Sequence, residues 1–268
     1  MLPFALNHMT VARLSYADLL DLAADLSCVG VEVRNDLPRP LFDGMAPEAA
    51  GELARKKGLR LLAVAEVKRF NDWSAATGAE ALALIKVAAA AGAEAVSLIP
   101  RNDGLGMGNG ERQANLRLAL KDLAPMLEDH GLIGLIEPLG FATCALRAKS
   151  EAVEAIEALN ATGRFRLVHD TFHHALAGGG AYFPNHTGII HISGVVDPAV
   201  RFDEMRDPHR VLVDDTDRLG NIAQIRALSA GGYTGPVSFE AFAPSVHALS
   251  DPGAALRASI DYLFAEAA

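Results

Sequence analysis

The sequence predicts an α/β protein built as a single (β/α)8 TIM barrel over residues 1–268. Three observations lead there. An amphipathic helix, a glycine and a short apolar strand recur in that order along the chain. The composition shows no break, and 268 residues suit a fold whose usual size is ~250. The strands are short and mostly apolar, as parallel strands covered by helices are. A doubly wound open sheet would carry a glycine fingerprint after its first strand, and none follows FALNHMT.

FALNH is the opening strand. Ser15, with Asp18 three residues on, starts the first helix, and Leu19, Leu20, Leu22, Ala23 and Leu26 form its buried stripe. Gly30 turns into the strand VEVR. Pro47 opens the second helix and Gly58 ends it before LRLLAVAEV. The spacing then predicts a helix over Glu80–Ala91, Gly92 and AVSLIP, followed by a helix over Glu111–His130, Gly131 and IGLIEP. The run GLGMGNG between them has Asn109 where a dinucleotide fingerprint needs its third glycine, so it reads as a flexible loop over the barrel mouth. A helix over Ser150–Asn160 precedes RLVHD. A truncated helix near Gly178–Gly180 leads to IIHIS, and an inserted loop covers roughly Ser193–Asp217. A helix over Asn221–Ala230 precedes PVSFEAF, and Asp251 and Pro252 open a last helix through Phe264.

Composition narrows the function. Half the residues are hydrophobic, enough for a full core. Asp and Glu outnumber Lys and Arg by 33 to 24, which leaves a formal charge of −9 and argues against nucleic acid as partner. Cys28 and Cys144 belong to no paired metal or redox motif and read as reduced thiols. No targeting signal stands out, and no apolar run approaches the ~20 residues of a membrane span. A cytoplasmic enzyme without membrane or nucleic-acid partners is expected, its state open between monomer and homo-oligomer.

Polar residues at the C-terminal ends of barrel strands face the active site. Reading those ends gives Glu137, Asp170, His191 and Glu240, each closing an apolar strand. Taken singly, any of them could be a strand-end residue held by hydrogen bonds. Four on successive strands are a different matter. Glu137 and Asp170 are 33 residues apart, close to one eighth of the chain, and the intervals of 21 and 49 that follow fit one shortened and one lengthened unit. Three buried carboxylates would repel one another unless a cation lay between them. The expected cofactor is one divalent metal ion, with Mn²⁺, Mg²⁺, Co²⁺ and Zn²⁺ all compatible with these ligands.

The sequence resembles the xylose isomerase-like TIM-barrel superfamily, and within it the 2-keto-myo-inositol isomerases (inosose isomerases). IEPLGFATC, RLVHDTFHHALAG, IIHISG, PHRV and VSFEAFAP carry the resemblance. It implies that Glu137, Asp170, His191 and Glu240 hold a single divalent metal, commonly manganese. It also implies that His173 contacts a substrate oxygen and that Arg210 reaches into the pocket. The implied activity is isomerisation of a keto-polyol of the inosose type, a step of inositol catabolism. Glu137 and Glu240 would serve as the catalytic acid/base pair through an enediolate that the ion stabilises, with Asp170 and His191 as structural ligands. VLVDDTDRLGN stands where the family commonly has a Pro-Gly-x-Gly turn, so the shape of the substrate pocket differs. Inosose dehydratase or ketose 3-epimerase activity on the same scaffold is the alternative. An apurinic-site endonuclease would need more strand-end histidines and a basic surface, and a catalytically dead sugar-binding protein would not keep both glutamates.

Further pocket candidates are Asn7 and His8 after strand one, Arg34 after strand two, and Lys68 and Asn71 after strand three. Arg34 shares side-chain parity with Glu32 and could instead form an ion pair. His169 alternates away from Asp170 and is expected in the core, while His174 is ambiguous. His130, His186, His209 and His247 are expected at the surface or in turns. Trp73 either lids the pocket or packs beneath its loop.

Overall fold

A computed structural model describes residues 2–267. Eight parallel strands close into a barrel in sequence order. They are β1 (Phe4–Asn7), β2 (Gly30–Arg34), β3 (Arg60–Lys68), β4 (Ala95–Ile99), β5 (Ile133–Ile136), β6 (Phe165–Asp170), β7 (Thr187–Ile192) and β8 (Val237–Phe239). The helices are α1 (Tyr16–Asp25), α2 (Pro47–Lys56), α3 (Ala75–Ala91), α4 (Asn109–Asp129), α5 (Lys149–Ala158), α6 (Thr171–Leu176), α7 (Asn221–Ala230), α8 (Pro244–His247) and α9 (Pro252–Ala267).

Local chemistry sets the helix ends. Ser15 caps α1 by accepting from the Asp18 N–H, and Pro47 sits in the first turn of α2. Gly92 ends α3 at φ 69°, a left-handed conformation in which glycine carries no Cβ penalty. α3 starts at Ala75 rather than Glu80, because Ser74 accepts from the Thr77 N–H and secures a first turn that lacks apolar periodicity. The expected truncation after β6 leaves α6 with six residues. The long β7–α7 connection folds into short 3-10 turns and is tied by a bridge between Gly194 and Val211.

Alternation along the strands divides the barrel into layers. The outward faces pack under the helices in the main core, with Leu6, Val31, Val96, Ile136, Leu167 and Ile190 among its buried residues. Inside, Ala5, Leu135, Val168 and Ile189 belong to a compact apolar plug. Two residues further along the same strands stand Asn7, Glu137, Asp170 and His191, so the plug forms the floor of a buried polar layer at the C-terminal end. Burying such a layer is tolerable only if its members satisfy one another.

Candidate active site

β5, β6, β7 and β8 deliver Glu137, Asp170, His191 and Glu240 to one place. One ligand atom from each lies within 4.8 Å of the others, and all four residues are buried. Register explains the convergence: Asp170 pairs with His191 and His191 with Ser238, so adjacent strands present consecutive inward positions at one level.

His191 is the hinge of the arrangement. Its Nε2 donates to Glu32 Oε2 at 3.0 Å, which fixes the ring and turns Nδ1 inward. Among the described residues Nδ1 has no hydrogen-bond partner, yet it lies 3.2 Å from Glu240 Oε2 and 3.5 Å from Glu137 Oε1. In the neutral ring that atom is a lone pair facing carboxylate oxygens, so a positive charge must lie there, as a proton on the ring or a cation among the four ligands. The orphaned nitrogen and three carboxylates form an N,O donor set that fits a divalent metal. Burial opposes charge on His191, but Glu240 and Glu32 outweigh it and hold the imidazole well above its ordinary value.

The two glutamates differ in surroundings. Glu240 Oε1 accepts from Arg34 Nη1 at 2.9 Å and Asn7 Nδ2 at 3.2 Å, and Oε2 accepts from Arg210 Nη2 at 3.0 Å. Burial alone would raise Glu240, but His191, Arg210 and Arg34 hold it well below the usual carboxylate range. Among the described residues no arginine pairs with Glu137, and burial followed by repulsion from Glu240 pushes it up to about 7. Asp170 accepts from Arg210 Nη2 at 2.5 Å and, through Oδ1, from the His173 backbone N–H at 2.8 Å, which makes it the cap of α6 as well.

Arg210 is 1% exposed and lies over the Phe172 and Phe242 rings, with the Ser193 hydroxyl accepting from its Nε at 3.0 Å. Arg34 forks onto Asp36 at 2.8 Å with Nε and Nη2 while Nη1 reaches Glu240, so it is an ion-pair partner and a wall of the cluster at once. Asn7 bridges Glu32 and Glu240. His173 lies buried between Phe141 and Phe172, its Nδ1 without a partner. Lys68 departs from the expectation of a pocket contact. Its side chain is 64% exposed and its ammonium pairs with Glu66, because β3 ends with Lys68 pointing to solvent. His8 and Asn71 are buried but held by backbone: His8 bonds to the Leu14 carbonyl of its own loop, and Asn71 accepts from the Arg101 N–H of the neighbouring β4–α4 connection. His169 packs outside the barrel against Gln224 of α7. Trp73 packs under its loop, donating to Asp122 on α4, and does not lid the pocket. The glycine-rich run docks on the β5–α5 connection through the Gly104 N–H and the Thr143 carbonyl.

Glu32 was not singled out from sequence. It is fully buried and accepts from His191, the Ser238 hydroxyl at 2.6 Å and Asn7. The signal available was a lone carboxylate inside the apolar run GVEVR, two residues before Arg34 and on the same face.

A closed parallel barrel whose C-terminal end gathers a buried Glu–Asp–His–Glu cluster defines a class of proteins equipped to hold one divalent ion. The profile of the family described as xylose isomerase-like TIM barrel matches residues 20–266, and the chain belongs to that family. Among solved structures, a xylose isomerase domain-containing protein from Salmonella typhimurium LT2 is 27% identical, with 99% of this chain and 97% of that chain covered at a TM-score of 0.90. An IOLI protein with a bound zinc atom is 20% identical, with 99% of both chains covered and a TM-score of 0.87. D-psicose 3-epimerase from Clostridium cellulolyticum H10, solved with D-tagatose, is 14% identical, with 99% of both chains covered at 0.76. The last two likenesses are of fold. No curated protein sequence matches the chain significantly. Among the described residues no helix is long and apolar enough to cross a membrane.

Proposed function

We propose that the protein is a divalent-metal-dependent isomerase of a keto-polyol, of the inosose type, that moves a proton between adjacent carbons. The observation that carries this reading is the four-residue cluster with the unpartnered His191 Nδ1 at its centre. Glu137, Asp170, His191 and Glu240 would hold the ion, which supplies a Lewis acid toward a substrate carbonyl when bound. Zinc, manganese, magnesium and cobalt all suit this donor set.

The chain's own residues do the rest. Glu137 and Glu240 are the acid/base pair, and their surroundings divide the work between them. Three donors around Glu240, from Asn7, Arg34 and Arg210, keep it ionised and weakly basic, whereas Glu137, which no arginine reaches among the described residues, is the stronger base for a proton beside a ketone. His173 and Arg210 line the substrate side, and the apolar plug below excludes water from beneath. The substrate is a small polyol or ketose, in keeping with a buried site, and the enzyme acts in the cytoplasm. A second reading, ketose 3-epimerisation, keeps the same proton abstraction and returns the proton to the other face. The fold likeness to the 3-epimerase solved with D-tagatose favours keeping it.

Proton–deuterium exchange followed by NMR in D₂O, with a panel of inososes and ketoses, identifies the enolised carbon, and the product separates isomerase from epimerase and dehydratase. Glu137→Gln should lower exchange by about 10²- to 10⁴-fold, the range of general acid–base catalysis, with an unchanged circular dichroism spectrum. Exchange within about tenfold of the parent would remove Glu137 from the proton-transfer role.

A further inference from the structure

The side of the site nearest β5 and β6 holds positive charge that the proton transfer does not use. A cavity of about 210 Å³ lies between the start of α5 and α6, with Asp170 and His173 in its wall beside Arg147 and Lys149. Elsewhere in the site, Arg34 and Arg210 are neutralised by carboxylates at 2.5–3.0 Å. Arg147 and Lys149 are not. Arg147 donates only to the carbonyls of Gly140 and Leu176, at 3.0 and 3.4 Å. The Lys149 ammonium meets the His174 ring, with Nζ 2.5 Å from Nδ1, and among the described residues neither cation has a carboxylate in salt-bridge reach.

Three further features point the same way. Ala148, the residue before α5, offers no capping side chain, so the helix's first-turn N–H groups, at the positive end of its dipole, lack a side-chain acceptor beside this cavity. His173, 4% exposed, contributes a ring whose Nδ1 has no partner. His174 is pulled down to about 4 by burial and then by Lys149, so it stays neutral and accepts from the ammonium instead of sharing its charge. In a chain of formal charge −9, a partly open cavity lined by two cations with no carboxylate in salt-bridge reach among the described residues, though Asp170 in its wall supports the charge on Lys149 from further off, is a recognition feature.

We propose that this cavity receives an oxyanion carried by the substrate, a carboxylate or a phosphate, and that the keto-polyol therefore bears an acidic substituent. The assignment rests on the keto-polyol reading of the adjacent cluster. Lys149 and Arg147 would donate to the anion from one side and the opening turn of α5 from the other, leaving the carbonyl end over Glu137 and Glu240.

Calorimetric titration of the metal-loaded protein with inorganic phosphate and, separately, with glycolate tests the proposal in the parent, Lys149→Met and Lys149→Arg. At least one anion should bind the parent. Its affinity should fall by at least about tenfold in Lys149→Met and return to within about threefold in Lys149→Arg, as expected for a hydrogen bond to a charged group. Preference for phosphate identifies a ketose phosphate, and preference for glycolate a keto acid. Absence of binding, or equal binding by all three proteins as an anion resting on the metal alone would give, overturns the proposal. Hydrogen exchange on a matched ketose, its phosphate ester and its carboxylate separates the two readings. Exchange on the neutral ketose alone defeats the anion cavity and leaves the isomerase. Lys149-dependent anion binding with no exchange on any sugar defeats the isomerase and leaves the cavity.

Discussion

A single carboxylate, Glu32, decides which nitrogen of His191 faces the cluster. An imidazole between carboxylates could present either nitrogen, and the bond from Nε2 to Glu32 removes that freedom. Ser238 and Asn7 hold Glu32 in turn, so the orientation depends on three strands. Glu32→Gln should weaken divalent-metal affinity by about 10- to 100-fold, the usual cost of losing a partner behind a metal-binding histidine, with the fold retained. Calorimetric titration of the metal-free protein with Zn²⁺ measures it, and unchanged affinity would show that the ring needs no such support. The same residue marks a limit of sequence reading. Glu137, Asp170, His191 and Glu240 were legible because a strand end is a local property. Glu32 sits mid-strand, and its role is set by a ring 159 positions away in the chain. Lys149 and Arg147 were opaque for a related reason, because a cation's function depends on whether a counter-ion folds beside it.

At the scale of elements, strand order and helix order followed from alternation, and the short α6 and long β7–α7 connection followed from the ligand intervals. The start of α3 did not, because AATGA carries no stripe and only the Ser74 cap defines it. The short α8 was also missed, a single turn whose buried Val246 is too little to produce a period. Seams between elements carry buried neutral histidines. His169 of β6 donates to Gln224 of α7, which donates onward to the Thr171 and Leu219 carbonyls. Burial pulls His169 well below its ordinary value, and His8 is lowered too, chiefly by burial. His174 is brought to about 4. A folded-state value below the unfolded one means the unfolded chain binds protons first. The contribution is therefore fully present above about pH 6.5 and is lost as pH falls toward 4, the value of His174. Glu137 and His191, both raised in the folded state, act in the opposite sense over this window. The contribution of a seam histidine is therefore read by comparing the parent with His169→Gln, from urea midpoints measured with chelator at about pH 7 and about pH 5. His169→Gln, whose amide nitrogen takes the place of the imidazole Nε2 and keeps a donor toward Gln224, should lose less than the parent; an equal loss in both proteins would clear His169 of any part in acid sensitivity.

Across the whole molecule, the cluster is where barrel closure and electrostatics meet. β1, β2, β5, β6, β7 and β8 each place a side chain in one buried network, so strands from both ends of the sequence are joined by charge as well as by backbone ladders. Arg34 and Arg210 offset part of the charge on Glu32, Glu137, Asp170 and Glu240, and either a proton on His191 or a divalent cation bound in its place would offset more. Only the folded barrel assembles four ligands that lie 33, 21 and 49 residues apart, so a metal binding there favours the native state over the unfolded chain. At a free concentration about a thousand times its dissociation constant, the ion should add about 4 kcal/mol. For a chain of this size that raises the melting temperature by roughly 8–16 °C. A melting series on chelator-treated protein with added Zn²⁺, Mn²⁺, Mg²⁺ or Co²⁺ should show this rise with at least one metal and its reversal by chelator. Glu137→Gln and Asp170→Asn should each blunt the rise, since each replaces an ionised ligand with an amide. A melting temperature indifferent to every metal at millimolar concentration would mean that the arginines and His191 already balance the cluster and that the four ligands hold no ion.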